Sequence, residues 1–335
     1  MKPLGLAVLG CGWIARRHAA AARRLRGEVA VSFASRDPAR AEAYRAEFHG
    51  VGAYGSYAAA VADPAVDAVI VCTPHDQHLP CTLLAVAHGK HVLVEKPIAR
   101  TLAEADAMIR AARAAGVTLM VAENFRFMPA YRAVRALVAD RAFGTLRQIH
   151  VTAWGDRGCH GWRSSRDAMG GGTLIDGGVH YVDLLLQWGG RATRVFALAP
   201  PNVLAGMGGE DTASLVVEFA GGTVGFLSNS LAAPGIPRLQ WSTLMGSDGT
   251  LFVDNRGRFL WLRSRRGRRV RFFLGQDWRG HGAMLAEFVA ALASSRAPEM
   301  DGVEARRDLA VVVAAYRSMQ TGLPADVEWE PKVSS

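Results

Sequence analysis

The first strand, turn and helix of this chain restrict its fold more than any other segment. An apolar run, Leu4–Leu9, leads into the turn Gly10-Cys11-Gly12-Trp13-Ile14-Ala15, and a helical pattern then continues to about Leu25. In such a unit the first glycine permits a tight turn, the second lets the backbone approach a pyrophosphate, and the alanine lets helix and strand pack closely. The helix N-terminus adds free N–H groups and positive potential. The pattern predicts a dinucleotide-binding unit in which the cofactor contacts are Gly10, Gly12, Trp13 and Ile14.

The end of the second strand bears on which dinucleotide is bound. Val29–Ala34 is followed by Ser35 and Arg36, whereas an NAD-binding unit has an acidic residue at this strand end for the ribose 2′-hydroxyl. Asp37 comes two residues late for that role, and Arg40 follows one helical turn on. Because hydroxyl and guanidinium groups bind a 2′-phosphate well, we predict NADP(H) in preference to NAD(H), with Ser35, Arg36 and Arg40 at that phosphate. The alternative is that Arg36 stacks on the adenine or contacts no ligand.

Two further buried strands end in motifs that suit a ligand. Asp67–Thr73 runs into Pro74, and His91–Val94 runs into Glu95-Lys96-Pro97. Ligands bind at the carboxyl ends of the strands in open α/β sheets, and Lys96 falls at such an end. Only four of the 39 basic residues are lysines, and a lysine amine, unlike a guanidinium, is readily tuned by its surroundings. We predict a functional role for Lys96; the alternative is a surface ion pair between Glu95 and Lys96.

The remaining patterns of the first half complete this sheet. Helical patterns occur over about Gln77–Ala87 and Leu102–Ala115, and a strand pattern occurs over Val117–Val121. Strands that alternate with helices form parallel βαβ units, so residues 1–122 are predicted to be a six-strand, doubly wound Rossmann domain of the α/β class. Asn124 and Arg126 follow the last strand at the same ligand-binding edge.

Beyond about Gly144 the pattern changes to short strands separated by turn signals. The predicted strands are Leu146–Trp154, Arg194–Ala199, Ala213–Phe219, Thr223–Ser230, Leu239–Met245, Thr250–Val253, Phe259–Leu262 and Val270–Phe273. No crossover helix intervenes, so residues 123–335 are predicted to be an α+β domain with a large, mainly antiparallel open sheet. Two closing helices, about Met284–Ser294 and Val303–Gln320, are expected to pack back on the first domain. A helix over Leu174–Trp188 would cover one face of the sheet, and the simplest cover for the other is a second copy, in a homodimer or homotetramer.

That covering helix has an unusual polar pattern. On a helix that begins near Leu174, four polar residues fall within an arc of about 60°: Asp176, His180, Asp183 and Gln187. The rest of the helix surface is apolar, aromatic or glycine, the reverse of an ordinary surface helix. The polar seam must face solvent in a cleft, the backbone of a partner strand, or a substrate; the alternative is a core helix whose polar groups are satisfied structurally. Glycines before and after the first turn allow another backbone or a flat ligand to approach closely.

Composition limits the class of protein. The apolar runs are too short for a membrane-spanning helix, and the N-terminus lacks the cleavage site of a signal peptide. Four cysteines form no CxxC pair and no metal-binding spacing, which favours free thiols in the cytoplasm and no metal site. The net charge of +9 admits nucleic-acid binding, but no helix-turn-helix or zinc pattern accompanies it.

The densest basic cluster, Arg263–Arg271, is predicted to be a hairpin tip with Gly267 at its turn, either a solvated face or a phosphate-binding surface. The tail Glu330–Ser335 is expected to be loose.

Three motifs occur together in one order along the chain. They are Gly10–Ala15, Glu95-Lys96-Pro97, and the segment from Gly170-Gly171-Gly172 through Asp176-Gly177-Gly178-Val179-His180 to Asp183. In this order and at these separations they resemble the Gfo/Idh/MocA oxidoreductases, the relatives of glucose–fructose oxidoreductase and inositol dehydrogenase. The resemblance covers nearly the whole chain, including Thr73-Pro74 with His78 and Trp162-Arg163. It implies a Rossmann domain followed by an α+β domain with a large open sheet. It also implies a nicotinamide cofactor, a sugar or polyol substrate, and a catalytic set of Lys96, Asp176 and His180.

The chemistry of these residue types agrees with such a reaction. Oxidation of a secondary alcohol needs a hydride acceptor and a base for the hydroxyl proton; histidine titrates near neutral pH, so His180 is assigned as that base. A protonated Lys96 binds the reacting oxygen and stabilises developing negative charge. Asp176 orients His180 or binds a substrate hydroxyl, and Asp183 is either a second orienting group or structural. Glu95 fixes Lys96 or the nicotinamide ribose. The remaining assignments are Thr73, Pro74, His78, Glu95 and Lys96 at the cofactor, and Asn124, Arg126, Trp162 and Arg163 in the substrate wall.

Two other functions stay open at this point. An NAD-dependent glycoside hydrolase of the same fold oxidises its substrate only transiently; Ser35-Arg36 argues mildly against it, because an enzyme that recycles its cofactor has no need of NADP. A non-enzymatic protein that senses cofactor and binds nucleic acid or protein through its basic surface would account for the charge, but Lys96, Asp176 and His180 weigh against it. We therefore expect a cytoplasmic enzyme with a small-molecule substrate and no nucleic-acid or membrane partner.

Overall fold

Six parallel strands form the first sheet of the computed structural model, which describes residues 2–234 and 239–330. The order is β3-β2-β1-β4-β5-β6, with β1 Leu4–Leu9, β2 Val29–Ala34, β3 Gly52–Tyr54, β4 Ala68–Val71, β5 His91–Glu95 and β6 Leu119–Ala122. The central strands are nearly continuous apolar runs because both of their faces are buried. The predicted doubly wound parallel sheet is confirmed. Only β3 was not located from the sequence, since three residues are too few to show a period.

Helices connect these strands and continue through the second half. Among the described residues the α-helices are α1 Trp13–Ala22, α2 Pro38–Phe48, α3 Tyr57–Ala62, α4 His78–Ala87, α5 Leu102–Ala114, α6 Pro129–Ala139, α7 Arg166–Met169, α8 Val179–Gly189, α9 His281–Ala293 and α10 Gly302–Thr321. Asp37, Ser56 and Thr101 begin α2, α3 and α5, because each side chain accepts a backbone N–H of the first turn. The first compact unit consists of the chain up to Asn124 together with His281–Arg306, and within it α9 packs against α1.

The second unit, Phe125–Gly280 with the chain from Arg307 onwards, contains a nine-strand sheet in the described residues. Its strands are β7 Leu146–Trp154, β8 Ala192–Leu198, β9 Thr212–Phe219, β10 Val224–Ser230, β11 Leu239–Gly246, β12 Gly249–Asp254, β13 Phe259–Ser264, β14 Gly267–Phe272 and β15 Ala325–Asp326. The order is β14-β13-β12-β11-β7-β10-β9-β8-β15, and all neighbours are antiparallel except β7 and β10. The predicted mainly antiparallel sheet is confirmed, and α8 covers one face of β7 and β10.

The covering helix differs from the predicted one at its start. Leu174–Gly178 is a π-helix, and only from Val179 does the chain continue as the α-helix α8. A π-helix has a wider turn than an α-helix, so the regular step of about 100° per residue does not extend back to Asp176. The arc of about 60° calculated for the four polar residues therefore describes only those on α8. Gly178 lets the segment pack closely on its neighbours, because a Cβ there would lie 2.9 Å from Leu174 Cδ1 and 3.1 Å from Asn229 Oδ1.

The basic cluster forms the β13–β14 hairpin, in which Ser264 pairs with Gly267 and two arginines occupy the turn. In the part of the chain that is described, no helix is long and apolar enough to cross a bilayer. Of the tail that was expected to be loose, residues 331–335 lie outside the described residues.

Candidate active site

The glycine turn before α1 leaves room for a ligand. Gly10 has a φ of +99°, and a Cβ there would lie 2.9 Å from the carbonyl oxygen of Cys72, so both backbone conformation and packing require glycine. Gly12 has a φ of −100° and a Cβ there would meet nothing within 4 Å. Neither strain nor packing explains the second glycine, and the open space lies at the N-terminus of α1, where an anion is favoured. The turn therefore fits a pyrophosphate, with the half-exposed Trp13 beside it.

At the end of β2, the single nearby acid is already used by the protein. The Asp37 carboxylate accepts the backbone N–H groups of Ala39 and Arg40 at 3.1 and 3.4 Å, which caps α2. Ser35 Oγ accepts the N–H of Asp37 at 3.1 Å. The charge of Arg40 reaches the glycine turn: burial raises the pKa of the Cys11 thiol to about 11, and Arg40 opposes that rise. The strand end thus presents cationic side chains, with its carboxylate committed to the helix.

His78 ties two strand ends together. Its ring is fully buried, with Nδ1 2.8 Å from the carbonyl oxygen of Pro97 and Nε2 3.2 Å from that of Thr73. Burial lowers the pKa of His78 to about 4, assisted by the neighbouring His75, so the ring is neutral at physiological pH. A neutral imidazole donates only one hydrogen bond, and the shorter distance identifies the Pro97 carbonyl as its acceptor. His78 thereby fixes the corner after β5, in which the Lys96-Pro97 peptide is cis.

Glu95 is buried beneath Lys96. The Glu95 side chain bonds to His18 Nε2 at 2.7 Å, and it accepts the backbone N–H of Lys96 at 3.2 Å. Burial raises the pKa of Glu95, but the hydrogen bond from His18 and the charges of His18, Lys96 and His281 outweigh burial and lower that pKa to about 2. Glu95 is therefore an internal carboxylate rather than a member of a surface ion pair.

In the second unit, three of the predicted site residues form one cluster. The Asp176 carboxylate accepts Nε of Arg163 at 2.8 Å and Nη2 at 3.3 Å. The same guanidinium lies over the ring of Trp162, with its carbon 4.4 Å from the ring centroid. Arg163 is thus held between an aromatic face and a carboxylate. Through Arg163, the carboxylate of Asp176 in the π-helix is linked to the ring of Trp162.

His180 lies on the first turn of α8 and is only partly buried. Its ring stacks on Phe125, with 4.3 Å between centroids and 11° between planes. Phe125 also contacts Tyr181 edge-on at 5.6 Å. Phe125 was not singled out in the sequence; its position between the two predicted residues Asn124 and Arg126 was the only signal that marked it. The stacking fixes the plane of the imidazole.

The C-terminal residues of the polar seam, Asp183 and Gln187, have structural roles. Asp183 has no exposed surface, and its Oδ1 lies 2.8 Å from Nη2 and 2.9 Å from Nε of Arg126. Gln187 donates to the other carboxylate oxygen at 2.5 Å. Arg126 is itself buried, so the structure places it in an internal ion pair beneath the site. Of the two readings for Asp183, these contacts favour the structural one.

The glycines around the π-helix divide into two kinds. A Cβ at Gly171 would collide with the hydroxyl of Tyr316, and a Cβ at Gly172 would collide with the backbone of Glu210. Gly177 has open space around the corresponding position. The first two glycines therefore serve packing, whereas Gly177, next to Asp176, leaves room for another molecule. In the described ranges, no group of three or more His, Cys, Asp or Glu side chains is arranged to hold a metal ion.

Known proteins resemble this chain along its length. Residues 4–123 match the family model described as an oxidoreductase family with an NAD-binding Rossmann fold, and residues 131–252 match the Gfo/Idh/MocA C-terminal domain. Trans-1,2-dihydrobenzene-1,2-diol dehydrogenase of Mus musculus is 34% identical over 61% of this chain, and the match spans only 60% of that relative. D-apiose dehydrogenase of Paraburkholderia graminis is 29% identical, over 96% of this chain and 89% of the relative. A structure of levoglucosan dehydrogenase with NADH and levoglucosan has a TM-score of 0.90 at 21% identity, covering 97% of this chain and 100% of that one, which shows a shared fold.

Proposed function

Because the chain belongs to the Gfo/Idh/MocA oxidoreductase family, we propose that it transfers a hydride between NADP(H) and a secondary alcohol or ketone of a sugar, cyclitol or related polyol. The observation that carries this proposal is the cluster of Trp162, Arg163 and Asp176 at the start of the helical segment that bears His180. An aromatic ring suits the C–H face of a sugar, and the adjacent charged groups suit its hydroxyls. The names of D-apiose dehydrogenase and levoglucosan dehydrogenase support this substrate class.

The proposed roles follow from the chemistry of each side chain. His180 accepts the proton of the reacting hydroxyl, in a plane set by Phe125. The Lys96 ammonium donates a hydrogen bond to the reacting oxygen and stabilises negative charge on it. Asp176, oriented by Arg163, accepts a hydrogen bond from His180 or from a substrate hydroxyl. Bound NADP(H) supplies the carbon that accepts or donates the hydride.

The organisation of the chain is part of the proposal. Residues 1–122 would bind the cofactor, and residues 123–335 would bind substrate and form the oligomer. The four cysteines, Cys11, Cys72, Cys81 and Cys159, are free thiols, as suits a protein that works in the cytoplasm.

A spectrophotometric screen tests the activity directly. The purified chain is mixed with NADP⁺ or NAD⁺ and a panel of aldoses, ketoses and inositols, and formation of reduced nicotinamide is followed by absorbance. We expect reduction of cofactor with at least one member of the panel. No reduction by any sugar, together with cleavage of aryl glycosides in the presence of cofactor, would instead support the hydrolase.

We expect NADPH to bind more tightly than NADH. Each charge-assisted hydrogen bond to the 2′-phosphate contributes ~1.5–3 kcal/mol, so two arginines give a preference on the order of 10²- to 10⁴-fold. NADPH should therefore raise the melting temperature more than NADH at equal concentration. Replacing Arg36 and Arg40 together with Ala should remove that difference, whereas Arg45→Ala, on the outer part of α2, should preserve it. Equal stabilisation of the unmodified chain by the two cofactors would count against the preference.

The exposed face of the second sheet is proposed to bind a second copy. Along β7, buried Ile149, Val151 and Ala153 alternate with partly exposed residues that face away from α8. Aromatic side chains continue this outer face along β7 and across the strands beside it: Trp154, Phe226, Trp241, Phe252 and Trp261. A broad aromatic surface on one side of a sheet is typical of an interface between protomers.

We therefore expect a dimer or tetramer in solution. Phe226→Glu combined with Trp261→Glu should shift the species towards a monomer in size-exclusion chromatography with light scattering, because each substitution buries a charge in the interface. Val51→Glu, which changes an exposed apolar residue of the first unit, should leave the mass unchanged. A monomeric unmodified chain at micromolar concentration would contradict this assembly.

A further inference from the structure

A fully buried histidine lies behind Glu95, and the roles proposed above do not use it. His18, on α1, has no exposed surface, and its Nε2 lies 2.7 Å from Oε1 of Glu95. Oε2 of the same carboxylate accepts the backbone N–H of Lys96 at 3.2 Å. Glu95 therefore links the helix that follows the glycine turn to the residue assigned to the reacting oxygen.

The imidazole of His18 donates to this carboxylate. An ionised carboxylate only accepts hydrogen bonds, so the proton between the two groups belongs to Nε2. Nδ1 of His18 is buried and has no hydrogen-bond partner within the described residues. Within the described part of the chain, the contact with Glu95 is thus the polar contact that accounts for a histidine here, in a helix whose other buried residues are alanines.

Glu95 lies among groups from several elements. His18 faces it from α1, and His281 from α9 lies edge-on to His18 with 6.4 Å between ring centroids. His78 on α4 and Lys96 next in the chain also interact electrostatically with Glu95. After β4, the pKa of the buried Cys72 thiol is raised first by burial and then by the charge of Glu95. These groups thus surround one carboxylate, that of Glu95, and His18 makes the short bond to it.

We propose that His18 is a positioning residue. By donating a hydrogen bond to Glu95, it keeps that carboxylate ionised and correctly oriented beside Lys96. This inference rests on the proposed role of Lys96. Without the donor on His18, burial favours the neutral form of Glu95, and Lys96 loses the fixed anion beside its own backbone. His18 itself need not contact cofactor or substrate.

The sign of the pH effect follows from the pKa of Glu95. It lies near 2 rather than at the ordinary 4.5, so the carboxylate is ionised at neutral pH and takes up a proton only in strong acid. The stability that this charge contributes is present above about pH 4.5 and is lost as the pH falls towards 2. In His18→Leu only the charges of Lys96 and His281 still oppose burial, so Glu95 titrates at a higher pH than in the unmodified chain.

The four lysines of the chain make Lys96 directly observable. With lysine labelled at ¹³Cε, the NMR spectrum contains few signals, and Lys96→Arg identifies that of Lys96. In the unmodified chain, the chemical shift of the Lys96 signal between about pH 5 and 7 gives a baseline that includes the effect of the neighbouring histidines. In His18→Leu the chemical shift should show an additional titration in this range, and in the double variant His18→Leu/Glu95→Gln that additional titration should disappear. His18→Gln, which keeps an N–H donor, should restore most of the unmodified behaviour.

The controls separate this inference from the proposed function. The signal of Lys90, held by the carbonyls of Asp63 and Val66, should be the same in all variants, and exposed His88→Gln should change nothing. The spectra need no substrate, so they report on the link from His18 to Lys96 even when the screen of sugars finds no turnover. A Lys96 signal in His18→Leu that matches the unmodified chain at every pH, or an additional titration that is unchanged in the double variant, overturns the proposal. Should His18→Leu fail to fold, His18→Asn, whose amide is too short to reach Glu95, replaces it.

Discussion

Replacing His180 with Ala is expected to lower the rate of hydride transfer by roughly 10²- to 10⁴-fold, the contribution typical of a general base. The substitution removes the group that accepts the hydroxyl proton and leaves Phe125 without its stacking partner. Lys96→Ala is expected to lower the rate comparably, because the reacting oxygen loses its cationic hydrogen-bond donor. Rates are measured by nicotinamide absorbance with the substrate that the screen identifies.

Cofactor binding separates a catalytic loss from a folding defect. Both variants should retain NADPH-induced stabilisation in a thermal-shift assay, since the glycine turn is unchanged. His88→Ala, an exposed histidine on the first unit, is the matched control and should keep full activity. Turnover at the unmodified rate in both His180→Ala and Lys96→Ala would refute the assignment of the catalytic residues.

Asp183→Ala is expected to destabilise the second unit by about 3–5 kcal/mol, the usual effect of leaving one member of a buried ion pair without its partner. Two nitrogens of Arg126 converge on one carboxylate oxygen of Asp183 in the interior, and the substitution removes that negative charge from the buried guanidinium. The loss is measured as the change in free energy of unfolding from denaturant titrations followed by circular dichroism.

An exposed ion pair provides the comparison. Glu218→Ala removes the ion-pair partner of Arg194 on the surface of the second sheet. Because water replaces the lost contact, little change in the free energy of unfolding is expected. Asp183→Asn still accepts a hydrogen bond, so its loss in free energy of unfolding should lie between those of Asp183→Ala and Glu218→Ala. An Asp183→Ala variant as stable as Glu218→Ala would mean that the buried pair does not hold α8 in place.

The regular elements were predictable because burial leaves a strong periodic signal. The strands of both sheets appear as apolar runs or alternations, and the turn at Gly10 follows from the need for a positive φ. The positions of Lys96 and His180 within their motifs were likewise visible, since polar residues in apolar surroundings stand out. What the sequence leaves open is which partner each polar group finds.

Asp37, His18 and Phe125 illustrate that limit. Asp37 is used as a helix cap, which follows from its backbone conformation rather than from its distance to the strand. His18 carries no motif, because its importance comes from a carboxylate 77 positions away. Phe125 is an apolar residue, and only the packed structure shows that its ring lies against His180. The π-helix was missed for a similar reason: two adjacent glycines permit it, but tertiary contacts decide whether it forms.

The π-helix at Leu174–Gly178 also bears on how this segment tolerates a change of length. A π-helical turn contains about one residue more than an α-helical turn. Deleting Gly177 would therefore let the segment form a continuous α-helix without disturbing α8. The deletion would rotate the Asp176 side chain about the helix axis by roughly 100°, the step of one residue, and so change its direction relative to His180. A change of length by one residue here would therefore redirect one carboxylate while leaving the rest of the second unit unchanged.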